Sequence, residues 1–222
     1  MWIDLTKTYT QWINLDEKIE NAKAMESLLG ECGIENHERF SAIRKEADHP
    51  TIKGEEHYLG VAASHFACMQ RALDNGMPGL ILEDDIEVSH RYKKKFEVPD
   101  DADAVYLGIS HGDNNYEAHE TPCQGVYRIK RMLAAHAIVY LKKRYVETIL
   151  QEVPKFMNES KRPFDVGLYG LQEHFNIYAF ADPFFYQSNN LNGLNKWEEL
   201  TRIPLRVIKM KPTVDPLWEH LQ

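Results

Sequence analysis

The chain has 222 residues, 43% hydrophobic and 27% charged, enough to bury one sizeable core and too few for two. Its formal net charge of -8, from 34 acidic against 26 basic residues, repels polyanions and disfavours nucleic acid as a partner on charge alone. No run approaches the roughly 18 to 20 consecutive apolar residues of a bilayer span, and the opening Met1-Trp2-Ile3-Asp4 lacks the layout of a secretory signal, so the sequence places the chain in the cytoplasm.

The first predicted element is a short strand at Trp12-Ile13-Asn14-Leu15. An amphipathic helix follows from Asp16 to Leu29, with Ile19, Ala22, Met25, Leu28 and Leu29 as its apolar positions and Gly30 and Gly33 punctuating its end. Arg39 to Ile43 returns as a strand, so the opening reads as a βαβ unit. A longer helix is predicted from Tyr58 to Leu73, stopped by Asn75-Gly76. Gly79-Leu80-Ile81-Leu82 is apolar without alternation, as in a strand covered on both faces, and it runs straight into Glu83-Asp84-Asp85. Ala104 to Leu107 is the next such strand. The polar stretch from His111 to Pro122 reads as a mobile loop near a site. Gly125 to Ile129 and Ala137 to Leu141 read as strands, Arg144 to Val153 as a helix closed by Pro154, and Asn176 to Phe180 as a last strand.

The whole, residues 1–222, reads as one domain, with 11–187 as its working region and 188–222 as a tail wrapping the core. Cys32, Cys68 and Cys123 are odd in number and share no CxxC spacing, which points to ordinary thiols rather than a disulfide framework or a zinc site. Arg91 to Lys95, and Arg206, Lys209 and Lys211 in the tail, leave room for a local basic face.

Three adjacent carboxylates at the carboxyl end of a buried strand repel one another and resist burial unless a cation neutralises them. Hard oxygen ligands suit Mn²⁺ or Mg²⁺, and ligands of open α/β sheets bind beyond the carboxyl ends of strands. A metal placed there bridges a diphosphate leaving group. The competing interpretation of Glu83-Asp84-Asp85 is a solvated acidic turn.

Neighbouring segments bear on that choice. Ile13-Asn14-Leu15-Asp16, then Gly60-Val61-Ala62-Ala63-Ser64-His65, then Leu80-Ile81-Leu82-Glu83-Asp84-Asp85, then Ala135-His136-Ala137-Ile138-Val139-Tyr140 stand in the order found in the lipooligosaccharide-type glycosyltransferases of family 25. The chain resembles a compact member of that family over roughly Gln11 to Gln187. The resemblance implies a GT-A-like, Rossmann-type α/β fold with a mostly parallel central sheet flanked by helices. It also implies metal-dependent, inverting transfer from a nucleotide sugar, taken as a UDP-sugar, to a hydroxyl. One departure stands out: where the family carries an arginine-containing stretch after its first motif, this chain has Glu17-Lys18-Ile19-Glu20-Asn21.

Carried over residue by residue, the resemblance gives Glu83 and Asp85 to the metal and Asp84 to the ribose or sugar. Asn14 falls near the nucleotide base, with a turn-forming Asn as the alternative. Ser64 and His65 fall within reach of the donor, with a packed helix-face pair as the alternative. Inversion needs a general base, and Asp165 occupies the place of the family's downstream acidic motif, ahead of Glu173. The alternative for Asp165 is a helix N-cap. His174 is an additional metal or phosphate contact, or else a polar surface residue. Tyr178, Phe180, Phe184, Phe185 and Tyr186 read mainly as core, with a platform for a sugar or base ring as the alternative, and Gln187 matches a family position near the end of the catalytic region.

The acceptor stays open between a glycan and, as in some bacteriophage enzymes, a hydroxymethylated base in DNA. An inactive nucleotide- or carbohydrate-binding module and a metal-dependent phosphohydrolase or nuclease are the remaining alternatives, the first opposed by the retained triplet and the second by the lack of further converging acids.

Overall fold

A computed structural model of the chain describes residues 1–46, 55–76, 78–111, 116–188 and 196–205. In chain order the elements begin β1 (Trp2–Asp4), β2 (Tyr9–Asn14), α1 (Ile19–Cys32), β3 (His37–Ser41), α2 (Glu55–Asn75) and β4 (Gly79–Glu83). They continue with β5 (Ile86–Val88), β6 (Lys95–Glu97), β7 (Ala104–Tyr106), β8 (Glu117–Glu120), β9 (Val126–Lys130) and β10 (Ala137–Tyr140). The last are α3 (Lys143–Ser160), α4 (Phe164–Leu171), β11 (Ile177–Phe180), β12 (Phe185–Gln187) and α5 (Lys196–Leu200).

An eight-stranded sheet in the order β3-β2-β4-β10-β7-β11-β9-β8 forms the centre, and the pairs β1-β6 and β12-β5 lie outside it. The fold is α/β, but the sheet is mixed rather than mostly parallel. β2 pairs in parallel with β3 and β4, and β7 with β11, whereas β10 is antiparallel to both its neighbours and β9 to both of its own. Parallel neighbours need a long crossover, usually a helix. Such helices follow β2, β3 and β10; among the described residues none separates β7, β8, β9 and β10, whose mutual pairings, β7 with β10 and β8 with β9, are antiparallel.

The strands that read as unalternating apolar runs are buried on both faces. Ile81, Ile138, Tyr140, Ile177 and Ala179 point into a core under α2, α3 and α4. Leu80, Leu82, Ala137, Val139, Tyr178 and Phe180 point into a second core against α1 residues Met25 and Leu29. The aromatics of the late strands belong to this second core: Phe180 and Phe184 stack at 4.3 Å, and Phe185 is fully buried.

Two expectations shift. Pro154 lies inside α3, which continues to Ser160. A proline within a helix costs about 3 kcal/mol or more, but the helix beyond it buries Phe156 and Met157, each worth about 1.5–3 kcal/mol. Residues 117–120, expected in a mobile loop, form a strand antiparallel to β9, where Glu117 and Ala118 are both buried on opposite faces and Arg131 answers the Glu117 charge. Residues 112–115, and with them Asp113, lie outside the described residues, as does the basic tail of Arg206, Lys209 and Lys211. The described part of the tail closes on the core, with Leu205 buried and its N–H donating to Ala181 O at 2.7 Å. All three cysteines are free. Among the described residues no helix is long and apolar enough to cross a membrane.

Candidate active site

The acidic triplet ends the central strand β4, flanked by β2 and β10. Its three carboxylates have separate fates. Glu83 is tied into the protein: His65 Nε2 lies 3.0 Å from Oε1, and Gln187 Nε2 donates to Oε2 at 3.2 Å. Burial pushes this carboxyl up, but the hydrogen bond and electrostatic pull of His65, then His136, then Gln187 outweigh it and hold Glu83 below its ordinary range. Asp84 accepts from Asn14 Nδ2 at 2.5 Å, and burial with the neighbouring Glu83 charge still leaves it raised. Asp85 is raised well above the usual range, first by burial and then by the Glu83 and Asp84 charges. Its Oδ1 is buried with no hydrogen-bond partner.

Asn14, at the end of β2, is almost fully buried and acts as a splint. Its Nδ2 donates to Asp84 and to Lys18 O, and its Oδ1 accepts from Arg39 Nε at 2.8 Å. Arg39 also reaches Asp16, and Arg44 pairs with Glu17. Arginines from the end of the second parallel strand thus reach the first βα loop, which lacks one of its own. Ser64 accepts from Ile43 N–H and donates to Gly60 O, each at 2.8 Å, so it fastens the chain after β3 to α2. His65 is fully buried behind Glu83 and stacks on Phe164 at 4.8 Å.

A cavity of about 460 Å³ opens over these groups, lined by Asn14, Glu83, Asp84 and Asp85 and also by Arg44, Lys45 and His57. A second, of about 360 Å³, adjoins it and is bounded by Tyr58, Leu133, Ala134, Phe164 and Asp165. His57, Val61, Glu83 and Gln187 line both. Asp165 sits in the first turn of α4, whose N-cap is Pro163 without a side-chain cap bond, so Asp165 is not the N-cap. Its Oδ1 accepts from Val166 N–H at 3.0 Å. Burial first, and then the Glu83 charge, raise its pKa. Ala134, which lines the same cavity, has φ 138°, a conformation that residues with a Cβ rarely hold except where the surroundings impose it.

The structure therefore brings together Asn14, Ser64, His65, Glu83, Asp84, Asp85 and Asp165. It separates two others. Glu173 lines neither cavity; Lys130 Nζ approaches it at 2.7 Å and Arg131 Nη1 at 3.6 Å, a largely buried ion cluster that also takes in Glu117. His174, in the turn after α4, lines neither cavity, and its N–H donates to Leu171 O. Sequence reading missed Arg44, Lys45 and His57. The first two carry a usable signal, since they directly follow a predicted strand in a sheet whose strand ends bind ligands. Gln187 was flagged by resemblance and is placed by its bond to Glu83.

Both interpretations of the triplet meet the geometry. Among the described residues no three His, Cys, Asp or Glu side chains converge as a metal-holding group. Both Glu83 oxygens are engaged and Asp84 Oδ2 accepts from Asn14, so the unpartnered Oδ1 of Asp85, with Asp84 beside it, is what the triplet offers a cation. Such a cation would lower the repulsion that raises Asp85.

No curated protein matches the sequence. Among solved structures, a nucleoside-diphosphate-sugar pyrophosphorylase from Vibrio cholerae RC9 is similar at 12% identity and TM-score 0.45, covering 82% of this chain and 77% of that one. A glycosyltransferase involved in the glycosylation of the major capsid of PBCV-1 is similar at 10% identity and TM-score 0.35, covering 77% and 91%. The model of glycosyltransferase family 25 (LPS biosynthesis protein) matches residues 12–162, well over half the length, and the chain belongs to that family.

Proposed function

We propose that this family member transfers a sugar from a nucleoside-diphosphate sugar to the hydroxyl of a neutral glycan, with inversion. The observation that carries the reading is the pair of adjoining cavities, one lined by Asp84 and Asp85, the other by Asp165, with Glu83 and Gln187 in their common wall. The first takes the donor, with Arg44, Lys45 and His57 offering positive charge or donors to its anionic part. The second takes the acceptor. Among the described residues no lysine or arginine lines it, which disfavours a DNA backbone, and its Tyr58, Leu133 and Phe164 suit the apolar face of a sugar ring.

Asp165 takes the proton from the acceptor hydroxyl as its oxygen bonds to the anomeric carbon; the bond from that carbon to the diphosphate breaks, and its electrons leave with the nucleotide. Glu83, held ionised, keeps Gln187 and His65 in place and raises the basicity of Asp165. Asp84 and Asp85 would hold Mn²⁺ or Mg²⁺, which when bound supplies positive charge for the departing diphosphate. The test is a screen of UDP-, GDP- and CMP-sugars for nucleotide release, with and without neutral saccharides. A UDP-sugar is expected to support saccharide-dependent release that a chelator abolishes. Release untouched by excess chelator would remove the metal, and stimulation by hydroxymethylated duplex DNA alone would remove the glycan.

A further inference from the structure

Leu133, Ala134 and Ala135, which line the second cavity together with Asp165, belong to a short segment with strained ends. Arg131 has φ 56° and Ala134 has φ 138°, so the backbone leaves β9 and enters β10 through two conformations that a side chain disfavours. Such a segment keeps its shape only where other contacts over-determine it. Gln172, just past the end of α4 and fully buried, supplies them. Its Oε1 accepts from Met132 N–H at 2.7 Å, and its Nε2 donates to Met132 O at 2.8 Å and to the Tyr106 hydroxyl at 3.2 Å. One carboxamide thereby satisfies both backbone groups of a buried residue, as a paired strand would, and anchors them to β7. The next residue is held as well, because Ser110 N–H donates to Leu133 O at 2.8 Å.

We infer that Gln172 is a positioning residue: it clamps Met132 so that Leu133, Ala134 and Ala135 stand as a fixed acceptor wall in the cavity that Asp165 also lines. The inference rests on the acceptor role given above to this cavity. It does not require Gln172 to touch either substrate, and Gln172 lines neither cavity.

Two variants separate the clamp from simple filling of space. Gln172→Met keeps the volume and removes all three hydrogen bonds. Gln172→Glu offers a donor and an acceptor to Met132 only while its carboxyl is protonated. Hydrogen exchange is read over 131–136 and, as a reference, over 79–83. In the Met variant the 131–136 amides are expected to exchange faster by about tenfold per hydrogen bond lost, with the reference unchanged. In the Glu variant protection, corrected for intrinsic rates, is expected at acid pH and lost as the carboxyl ionises. Native exchange over 131–136, or equal acceleration of both segments, overturns the clamp.

Function is read as UDP release from UDP-galactose with methyl β-galactoside and in water alone. The Met variant should lose about 10²-fold of the hexoside-dependent rate, the cost of a misplacement of about 1 Å, and a smaller fraction of hydrolysis. An equal fall in both overturns the positioning role. If the native chain shows no hexoside-dependent release, the acceptor reading fails while the exchange results still decide the clamp.

Discussion

At the residue scale the triplet carries a conflict between stability and function. A carboxyl whose folded pKa lies above its unfolded value favours folding only while protonated, and that contribution is lost as pH rises through the folded value. Asp85 is such a group. Asp85→Asn is therefore expected to raise the melting temperature at neutral pH relative to the native chain and to leave it unchanged in acid. The same variant should lower transfer by about 10²-fold or more, the several-kcal/mol scale of a charge set against a leaving diphosphate. Paired melting curves and nucleotide-release rates decide it; a drop in melting temperature at neutral pH would mark Asp85 as structural. As the proposed base, Asp165 is expected to give the acid limb of the rate. Because its pKa is raised, the fraction of ionised base falls at a pH above the ordinary Asp value of about 3.9. Asp165→Asn keeps the acceptor for Val166 N–H, so the fold should hold while transfer drops by about 10² to 10⁴ and the acid limb disappears. Near-native transfer by that variant would eliminate Asp165 as the base.

At the element scale, α4 is aimed by its contact with α3. A Cβ on Gly167 would stand 2.6 Å from Val153 Cγ1 and 3.5 Å from Phe156 Cδ1, both on buried α3 residues that cannot swing aside. Gly167→Ala should cost about 1–3 kcal/mol in denaturant unfolding, as overpacked sites do. It should also slow transfer beyond any change in donor affinity, because the helix it displaces carries Asp165. Unchanged transfer in the face of lost stability would show that α4 does not set the base. Sequence patterning reached these elements unevenly. Strands β4, β7 and β10 were legible within a residue or two because apolar side chains on both faces leave no other reading. Strand β8 was not, because Glu117, His119 and Glu120 look solvated until Arg131 and Lys130 from the next strand are beside them. The far half of α3 was hidden behind Pro154, a breaking signal that Phe156 and Met157 overrule by burial.

At the scale of the whole molecule the sequence indicated the α/β class and the acidic strand end but not the hand of the sheet. Mostly parallel pairing was what the family resemblance implied, and it fails at β9 and β10, which return antiparallel between their neighbours, β9 paired with β8 and β11 and β10 with β4 and β7. The site divides along the same line. Donor-side residues Asn14, Glu83 and Asp84 come from neighbouring parallel strands that a sequence rule connects. The acceptor side is assembled from α4 and the link between β9 and β10, segments whose meeting depends on a buried amide reaching a backbone 40 positions away. No local pattern records that distance.

The wall shared by the two cavities gives their ligands a route to thermodynamic coupling. If a ligand that seats Gln187 and Glu83 from one side alters the surface offered on the other, linkage makes the effect mutual and equal in free energy. Bi-substrate kinetics should show it: double-reciprocal initial-rate lines at several fixed acceptor levels should intersect off the horizontal axis, with donor dissociation constant and acceptor dissociation constant changed by the same factor when the other site is filled. Gln187→Ala should uncouple the pair, bringing that factor toward unity while each ligand still binds alone. A factor unmoved by the substitution would mean that the two substrates sense one another by contact alone.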